Sequence, residues 1–202
     1  MSYTPVAPGE LAAVVTFLEM RQRPDIAVPP APLSLRRMER PAAADYRDLF
    51  RLIGSPWLWF SRLLLDDQAL DAITHDPRVE LYMVEDEAGR PSGMLELDFR
   101  AEGECELAFV GLIPELSGHG HGRWLLAESI ERAWRSGIGR VHVHTCSLDH
   151  PAALGAYRRA GFIPYKRAVE TFPDPRLNGI LAPGCAPQIP LVGASTVPRP
   201  DN

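Results

Sequence analysis

One segment, residues 105–136, constrains the fold of this chain more than any other, because it joins a strand to a helix through a loop rich in glycine. CELAFVGL at 105–112 predicts the strand, and SGHGHG at 117–122 places three glycines at alternate positions in the loop. A helix is then predicted from about Gly122 to Ser136, with Gly137 as its stop. Its apolar face comprises Leu126, Ile130, Ala133 and Trp134.

The order strand, loop, helix makes the glycine loop a candidate anion site. The first N–H groups of a helix have no partner within the helix and carry a partial positive charge, which favours an anion. Glycine removes the Cβ atoms that would hold a phosphate away from the backbone. The loop matches neither the nucleoside-triphosphate motif nor the GxGxxG dinucleotide motif. On these residues alone, a pyrophosphate cradle and a plain loop both remain open.

The neighbouring segments predict a mixed sheet with helices on its faces. Strands are predicted at 33–38, 79–86, 91–99, 140–145 and 162–172, and helices at 41–53, 66–73 and 150–160. From residue 33 the order is therefore βααβββ followed by αβαβ. The turn between the strands at 79–86 and 91–99 contains Ala88, Gly89 and Arg90.

Proline separates the two ends of the chain from this core, because most of its 20 prolines lie outside the middle. We predict three parts: an N-terminal arm at 1–32, a domain at 33–171 and a C-terminal arm at 172–202. In the first arm, LAAVVTFLEM favours one extra strand over a short helix, although its periodicity allows both. The last arm is rich in Pro and Gly and is predicted to be irregular or partly disordered.

Length and charge exclude several classes of protein. A chain of 202 residues with 46% hydrophobic residues fits one substantial core. Its formal charge of −5 and the absence of a basic stretch interleaved with aromatics argue against a nucleic-acid partner. No signal peptide and no stretch long enough to cross a bilayer are recognised, so no membrane partner and a cytoplasmic location are expected. The three cysteines are far apart, which fits reduced thiols.

Two motifs in the second half of the chain resemble those of the GNAT superfamily of acyl-CoA-dependent N-acyltransferases. In that family an apolar-x-Pro step is followed by Gln/Arg-x-x-Gly-x-Gly/Ala and a helix. Leu112, Ile113 and Pro114 match the first step, and the loop at 117–122 matches the second, with Ser117 in place of Gln or Arg. This departure puts one side-chain contact to phosphate in doubt, for which Arg123 or His119 can compensate.

The second motif lies at 150–162 and reads HPAALGAYRRAGF. The family pattern is Asn-x-x-Ala, then Tyr four residues later, then Gly-Phe. His150 replaces the Asn, and the remaining positions match: Ala153, Tyr157, Gly161 and Phe162. The resemblance covers about residues 33–170.

The resemblance implies an α/β (α+β) fold, with a mixed, mostly antiparallel sheet that is splayed at its centre and has helices on both faces. It also implies acetyl-CoA as co-substrate, with its pantetheine arm along the splayed strand and its pyrophosphate on the glycine loop. No metal is expected, because the histidines lack accompanying ligands with metal-site spacing. His150 is interpreted as a helix cap beside the cofactor, because Pro151 favours a first helical turn. The cofactor-binding residues implied are Leu112, Ile113, Ser117, Gly118, His119, Gly120, His121, Gly122, Arg123 and His150.

The implied reaction is direct attack of a primary amine on the thioester, which needs a base for the amine and an acid for the thiolate. Tyr157 aligns with the family tyrosine that serves as the acid. Without the motif, the alternative is a structural role in which its ring packs on the helix face. Glu106 matches a family glutamate that acts as base in some members. Glu104 on the same strand face and a chain of waters are the alternatives, and both carboxylates also fit a solvated strand.

The acceptor side of the cleft is expected at GSPWLWFSRLLL, where Trp57, Trp59 and Phe60 either form an aromatic wall for the substrate or belong to the core. Nothing in the sequence identifies the amine. Family members often form homodimers, so a homodimer is an outcome that the resemblance allows.

Two other functions compete with acetyl transfer. One is a catalytically silent module that binds acyl-CoA and regulates. The other is a metal-binding protein that uses four histidines, His119, His121, His142 and His144, two on the loop and two on one strand face. No cysteine or carboxylate accompanies them with metal-ligand spacing, so this alternative is disfavoured.

Overall fold

The strands of this chain form one sheet. The structure is a computed structural model that describes residues 3–193. Within these residues, seven strands form a sheet in the order β2-β3-β4-β5-β6-β1-β7. The strands are β1 (Glu10–Met20), β2 (Leu33–Met38), β3 (Val79–Asp86), β4 (Pro91–Asp98), β5 (Glu104–Leu112), β6 (Arg140–Cys146) and β7 (Ile163–Pro173).

Four α-helices connect these strands: α1 (Ala43–Gly54), α2 (Asp67–Thr74), α3 (His121–Ala133) and α4 (Ala153–Arg159). Short 3₁₀ turns occupy Ser55–Trp57, Ser61–Leu64 and Pro114–Leu116. The predicted order of strands and helices is confirmed, and the extra N-terminal element is a strand. Helix α3 ends at Ala133, three residues before the predicted end, because Trp134 leaves the helical conformation with ψ 99° and donates its indole N–H to Met20 Sδ.

Two apolar clusters cover opposite faces of the sheet, as strand β4 illustrates. Leu95 and Leu97 are fully buried against the face that α3 covers, together with Trp124 and Leu125 of that helix. Met94 points to the other face and joins the cluster of α1 and α2. This two-residue alternation is what a strand buried on both faces requires.

The sheet opens at its centre, between β5 and β6. These strands are parallel and pair over only three residues, the last pair being Glu106 with His142. Beyond it β5 continues to Leu112 along β4, with a bulge that leaves Ala108 unpaired in the ladder. All other neighbouring strands are antiparallel. The predicted fold class, a mostly antiparallel sheet splayed at its centre with helices on both faces, is confirmed.

Strand β1 lies inside the sheet rather than at its margin. It pairs with β6 on one side and with β7 on the other, in both cases antiparallel. Leu18 is fully buried and Ala13 is 1% exposed. Residues 10–20 therefore complete the same sheet as residues 33–173.

The segment that follows β7 has no helix or strand up to residue 193, yet it packs against the body of the protein. Arg176 and Asp174 form a buried ion pair at 2.7 Å, and Arg176 also donates to four carbonyls of its own segment. Leu181 and Ala186 bury Leu58, which precedes α2. Residues 194–202 of the predicted C-terminal arm lie outside the described residues.

Among the helices of residues 3–193, none combines the length and the apolar character needed to cross a membrane.

Candidate active site

A cavity of about 1360 Å³ follows the opening between β5 and β6. This volume exceeds the roughly 300–1,000 Å³ typical of a small-molecule pocket. Its wall includes the glycine loop and α3 at one end, the diverging strands in the middle, and residues 57–62 at the other end. The cavity therefore has room for an elongated ligand and a second molecule that meets it at the opening.

The glycine loop presents a run of backbone donors to this cavity. The N–H groups of residues 118–122 have no hydrogen-bond acceptor within residues 3–193. Gly118 and Gly120 adopt left-handed conformations with φ of 81° and 83°, which glycine accepts without strain. A Cβ built on Gly118, Gly120 or Gly122 would meet no atom within 4 Å, so the space in front of the backbone is open.

The remaining residues predicted to bind the cofactor divide into two groups. Leu112, Ser117, Arg123 and His150 line the cavity. The interpretation of His150 as the helix cap is wrong, because α4 begins at Ala153 with Ala152 as its N-cap; His150 Nδ1 instead accepts a hydrogen bond from the backbone N–H of Ala152 in the turn before the helix. Three others do not line it: Ile113 packs into the cluster of α1 and α2, and the rings of His119 and His121 stack on each other at 6.1 Å.

These features fit acetyl-CoA. A run of free N–H groups at a helix N-terminus suits a pyrophosphate, with Arg123 beside it. Beyond Glu106, one edge of β5 faces the opening with its backbone groups not paired to β6. An extended arm with amide groups can bind there as an added strand does.

Tyr157 of α4 reaches the cavity from the face of the sheet that α3 covers. Its ring packs edge-on against Phe162, with the ring centroids 5.7 Å apart. Its hydroxyl forms no hydrogen bond with any residue from 3 to 193. Burial, and to a smaller extent the charge of Asp149, raise the pKa of Tyr157 well above its usual value. The phenol is therefore protonated at neutral pH and is available as a donor.

Glu106 and His144 meet across the closed end of the opening. His144 Nδ1 lies 3.2 Å from Glu106 Oε1, and both side chains line the cavity. The hydrogen bond from His144 lowers the pKa of Glu106, although burial opposes it, and the same bond raises the pKa of His144. The pairing of these two residues was not predicted, because it depends on the register between β5 and β6, in which Glu106 lies opposite His142.

The second candidate base, Glu104, has other partners. Its carboxylate accepts a hydrogen bond from Arg140 at 2.8 Å and lies 3.6 Å from His142. Each strand histidine of the four-histidine alternative thus pairs with a carboxylate. Among residues 3–193, no group of three or more His, Cys, Asp or Glu side chains is arranged to hold a metal ion.

The three aromatic residues predicted on the acceptor side all line the cavity. Trp59 fits closely against two glycines: a Cβ on Gly54 or Gly111 would stand 2.5 Å and 3.0 Å from its side chain. Its indole N–H donates to Asp149 Oδ1 at 3.2 Å, which links this loop to the turn after β6. Trp57 packs edge-on against His150 and Phe60 lies against Phe172, so the aromatic residues bridge the mouth of the opening.

A buried ionic group lies below the aromatic residues. Glu96 of β4 is fully buried and accepts hydrogen bonds from Tyr46 at 2.5 Å and from Arg62 at 2.6 Å. The guanidinium of Arg62 also lies 5.2 Å from the centroid of the Phe109 ring. This group ties residues 61–64 to the sheet. No local motif in the sequence marks this group, because its contacts join residues that are 34 and 50 positions apart.

Comparisons with known proteins agree with this geometry. A family model described as the acetyltransferase (GNAT) family matches residues 45–162, which is more than half of the chain. No curated protein sequence gives a significant match.

Solved structures with the same fold include a GCN5-related N-acetyltransferase from Sphaerobacter thermophilus, with a TM-score of 0.58 and 21% identity over 83% of this chain. A GCN5-related N-acetyltransferase from Kribbella flavida gives a TM-score of 0.52 and 20% identity over 85% of this chain. A spermidine N-acetyltransferase from Vibrio cholerae, whose structure is dodecameric, gives a TM-score of 0.51 and 18% identity. The match covers 72% of this chain and 96% of the spermidine N-acetyltransferase chain. The chain covers only 52% and 63% of the first two proteins.

Proposed function

Because the chain belongs to the GNAT acetyltransferase family, we propose that it transfers an acetyl group from acetyl-CoA to a primary amine by direct attack. The observation that carries this proposal is the single cavity that joins the free N–H groups of the glycine loop, the opening between β5 and β6, and the aromatic residues. A ligand with an anionic end and an extended arm would bring its reactive end to the closed end of the opening, beside Glu106 and His144.

In this proposal the glycine loop and the edge of β5 hold acetyl-CoA. The N–H groups of residues 118–122 and the side chain of Arg123 bind the pyrophosphate. Backbone groups near Leu112 and Ile113 bind the arm, and His150 flanks it. When bound, acetyl-CoA supplies a thioester carbonyl carbon that an amine can attack.

The two proton transfers, to the leaving thiolate and from the amine, take place on opposite sides of the opening. Tyr157, on the side of α3 and α4, donates a proton to the departing thiolate. The pair of Glu106 and His144, on the other face, serves the amine. Their placement on opposite faces keeps the acid and the base apart, so that each can hold its own protonation state at one pH.

The acceptor enters past Trp57, Trp59 and Phe60, whose rings can hold an apolar group or a cation. Glu170 lies at the same end of the cavity and is exposed. A cationic amine with an apolar or aromatic body is therefore the acceptor class we favour.

The test is release of free thiol from acetyl-CoA with a panel that contains phenethylamine, putrescine, ethanolamine, free amino acids and a lysine peptide. Calorimetry with acetyl-CoA measures binding separately. Thiol release that depends on an amine supports the proposal. Binding without release from any amine would indicate a silent acyl-CoA-binding module, and no binding would exclude both functions.

The oligomeric state and location are further parts of the proposal. A homodimer would use β7, which lies at the edge of the sheet and exposes Ile163, Tyr165 and Val169 by 68%, 48% and 71%. Light scattering of the purified protein decides between monomer and dimer. A cytoplasmic location rests on the sequence alone and is tested by fractionation of cells.

A further inference from the structure

Strand geometry puts His144 at the place where the opening begins. Residues 104–106 of β5 pair with 140–142 of β6, and His142 is the last β6 residue in that ladder. His144 is the next residue on the same face, so its side chain lies beside the gap rather than over paired strands. It is half-exposed and lines the cavity, whereas His142 does not line it.

The contact with Glu106 fixes the imidazole in one tautomer. Glu106 is ionised at neutral pH, since its pKa lies below its usual value. An ionised carboxylate only accepts hydrogen bonds, so Nδ1 of His144 must carry the proton that it shares with Oε1 at 3.2 Å. Neutral His144 therefore has its free lone pair on Nε2. The ring of Phe17 on β1 lies 5.8 Å away and limits the ring orientation from the other side.

We infer that His144 is the group that takes the proton from the acceptor amine, and that Glu106 is a positioning residue that holds Nδ1 of the imidazole. This inference rests on the proposed acetyl transfer and assigns its base. The nitrogen lone pair of the amine forms the new C–N bond as the C–S bond breaks. The nitrogen proton goes to Nε2 of His144, and the thiolate takes the proton of the Tyr157 hydroxyl. Transfer of the proton from His144 to the Tyr157 oxygen through solvent restores both groups.

The charges around His144 favour this role over a carboxylate base. Glu106 faces it from β5, Glu170 from β7 and Asp149 from the turn after β6, and each raises the pKa of His144, while burial lowers it. Other titratable groups on this face are His142 on the same strand and Lys166 of β7, whose ammonium lies 4.9 Å from the centroid of the Phe17 ring that separates it from His144. The net result is a pKa above the ordinary 6.5. A base with a pKa near the working pH is more effective than a carboxylate with a lowered pKa.

The pairing is tested first without any reaction, by NMR titration of the His144 ring in the full chain. The wild type should titrate above the ordinary histidine value, and Glu106→Gln should lower the pKa of His144 because the negative partner is lost. The pairing is wrong if Glu106→Gln leaves the titration of His144 unchanged.

The base is tested with acetyl-CoA and whichever amine of the panel gives the fastest thiol release. His144→Gln should lower turnover by roughly 10²- to 10⁴-fold, as removal of a positioned base does, with acetyl-CoA affinity unchanged. His142→Gln is the matched control and should keep the wild-type rate. Glu106→Gln should lose less rate and move the acidic limb of the pH–rate profile to lower pH, because neutral His144 then persists to lower pH.

The outcomes are separable. The assignment of the base is wrong if His144→Gln keeps the wild-type turnover. It is also wrong if the acidic limb of the wild-type pH–rate profile lies below the ordinary glutamate pKa of 4.5. Both outcomes would leave the proposed acetyl transfer intact. Absence of amine-dependent thiol release from the wild type overturns the proposed function and the base together.

Discussion

At the scale of single residues, the role of the Tyr157 phenol can be tested by removing one oxygen atom. Tyr157→Phe keeps the ring and its packing on Phe162 but removes the hydroxyl. Since burial keeps this phenol protonated, its loss should lower turnover by roughly 10²- to 10⁴-fold. Acetyl-CoA affinity and melting temperature should stay close to the wild type.

The pH dependence provides the control for this variant. A CoA thiol is acidic enough to leave partly without help, so the deficit of Tyr157→Phe should shrink as the pH rises. Turnover equal to that of the wild type at every pH would remove Tyr157 from the mechanism and leave the cofactor site unaffected.

Gly122 tests whether the backbone of the glycine loop approaches the ligand. Unlike Gly118 and Gly120, it has no positive φ, and a Cβ there meets open space. Gly122→Ala should therefore leave stability unchanged or raise it by up to ~1 kcal/mol, because alanine is the better helix former. Acetyl-CoA binding should nevertheless weaken at least tenfold, since the methyl group occupies space beside the pyrophosphate. Calorimetry and thermal melting measure the two effects separately.

The comparison for this prediction is Gly184→Ala in the segment after β7, where a Cβ also meets open space far along the chain from the loop. It should bind acetyl-CoA as the wild type does. Wild-type affinity in Gly122→Ala would mean that the pyrophosphate does not approach this part of the backbone.

The sequence predicted some of these residues and missed others for a physical reason. Tyr157, Glu106 and the glycine loop belong to motifs that read along the chain. The contact of His144 with Glu106, the bond of Asp149 to Trp59 and the burial of Glu96 depend on how distant strands and loops meet. No local spacing encodes such contacts, although alternation in β5 and β6 fixes which faces meet.

At the scale of elements, the segment after β7 holds the acceptor loop in place. Leu58 has a left-handed conformation with φ 56°, which costs a non-glycine residue about 1–3 kcal/mol. Leu181 and Ala186 bury this residue, and Gln188 donates to the carbonyl of Pro56 at 2.7 Å. The packing therefore stabilises a conformation that the loop alone would avoid, and with it the positions of the aromatic residues.

Leu181→Ala tests this support. Loss of a buried leucine costs about 2–5 kcal/mol, and here the cost falls on a small cluster at the acceptor end. The KM for the amine should rise several-fold while the affinity for acetyl-CoA stays the same. Hydrogen exchange of the amides at 55–61 should become faster.

Leu191→Ala makes the same change in the same segment at a residue that is 43% exposed, and it should have little effect on either measurement. A KM unaffected in Leu181→Ala would show that the loop keeps its conformation without this segment.

Elements were the most predictable part of the fold. Alternation predicted β2, and the turn that contains Ala88, Gly89 and Arg90 separated β3 from β4. The errors lie at helix boundaries: α3 ends early because the indole of Trp134 packs against Met20 of β1. A contact with a strand more than a hundred residues away cannot be read from the helix itself.

At the scale of the whole molecule, the position of β1 decides which part of the chain can fold. Strands β6 and β7 are not neighbours, and β1 joins them. A chain that begins at residue 33, the predicted start of the domain, should therefore show no cooperative thermal unfolding. Thermal melts followed by circular dichroism measure this.

A chain that lacks only residues 1–5 keeps all of β1 and should melt as the full chain does. A cooperative melt with acetyl-CoA binding by the chain from residue 33 would show that β6 and β7 can pair directly. The sequence could not predict the central place of β1, since alternation identifies a strand but not its neighbours.

The position of β1 also governs the order of events during synthesis. Its partner strands, residues 140–146 and 163–173, are translated more than a hundred residues after it. At the ribosomal rate of about 5–20 residues per second, β1 waits roughly 6–30 s without a partner. Contacts so distant in sequence also slow folding itself. The wall of the cavity thus closes only after β6 and β7 have been translated, and a ribosome that stalls before residue 140 displays an apolar strand prone to aggregation in place of a binding site.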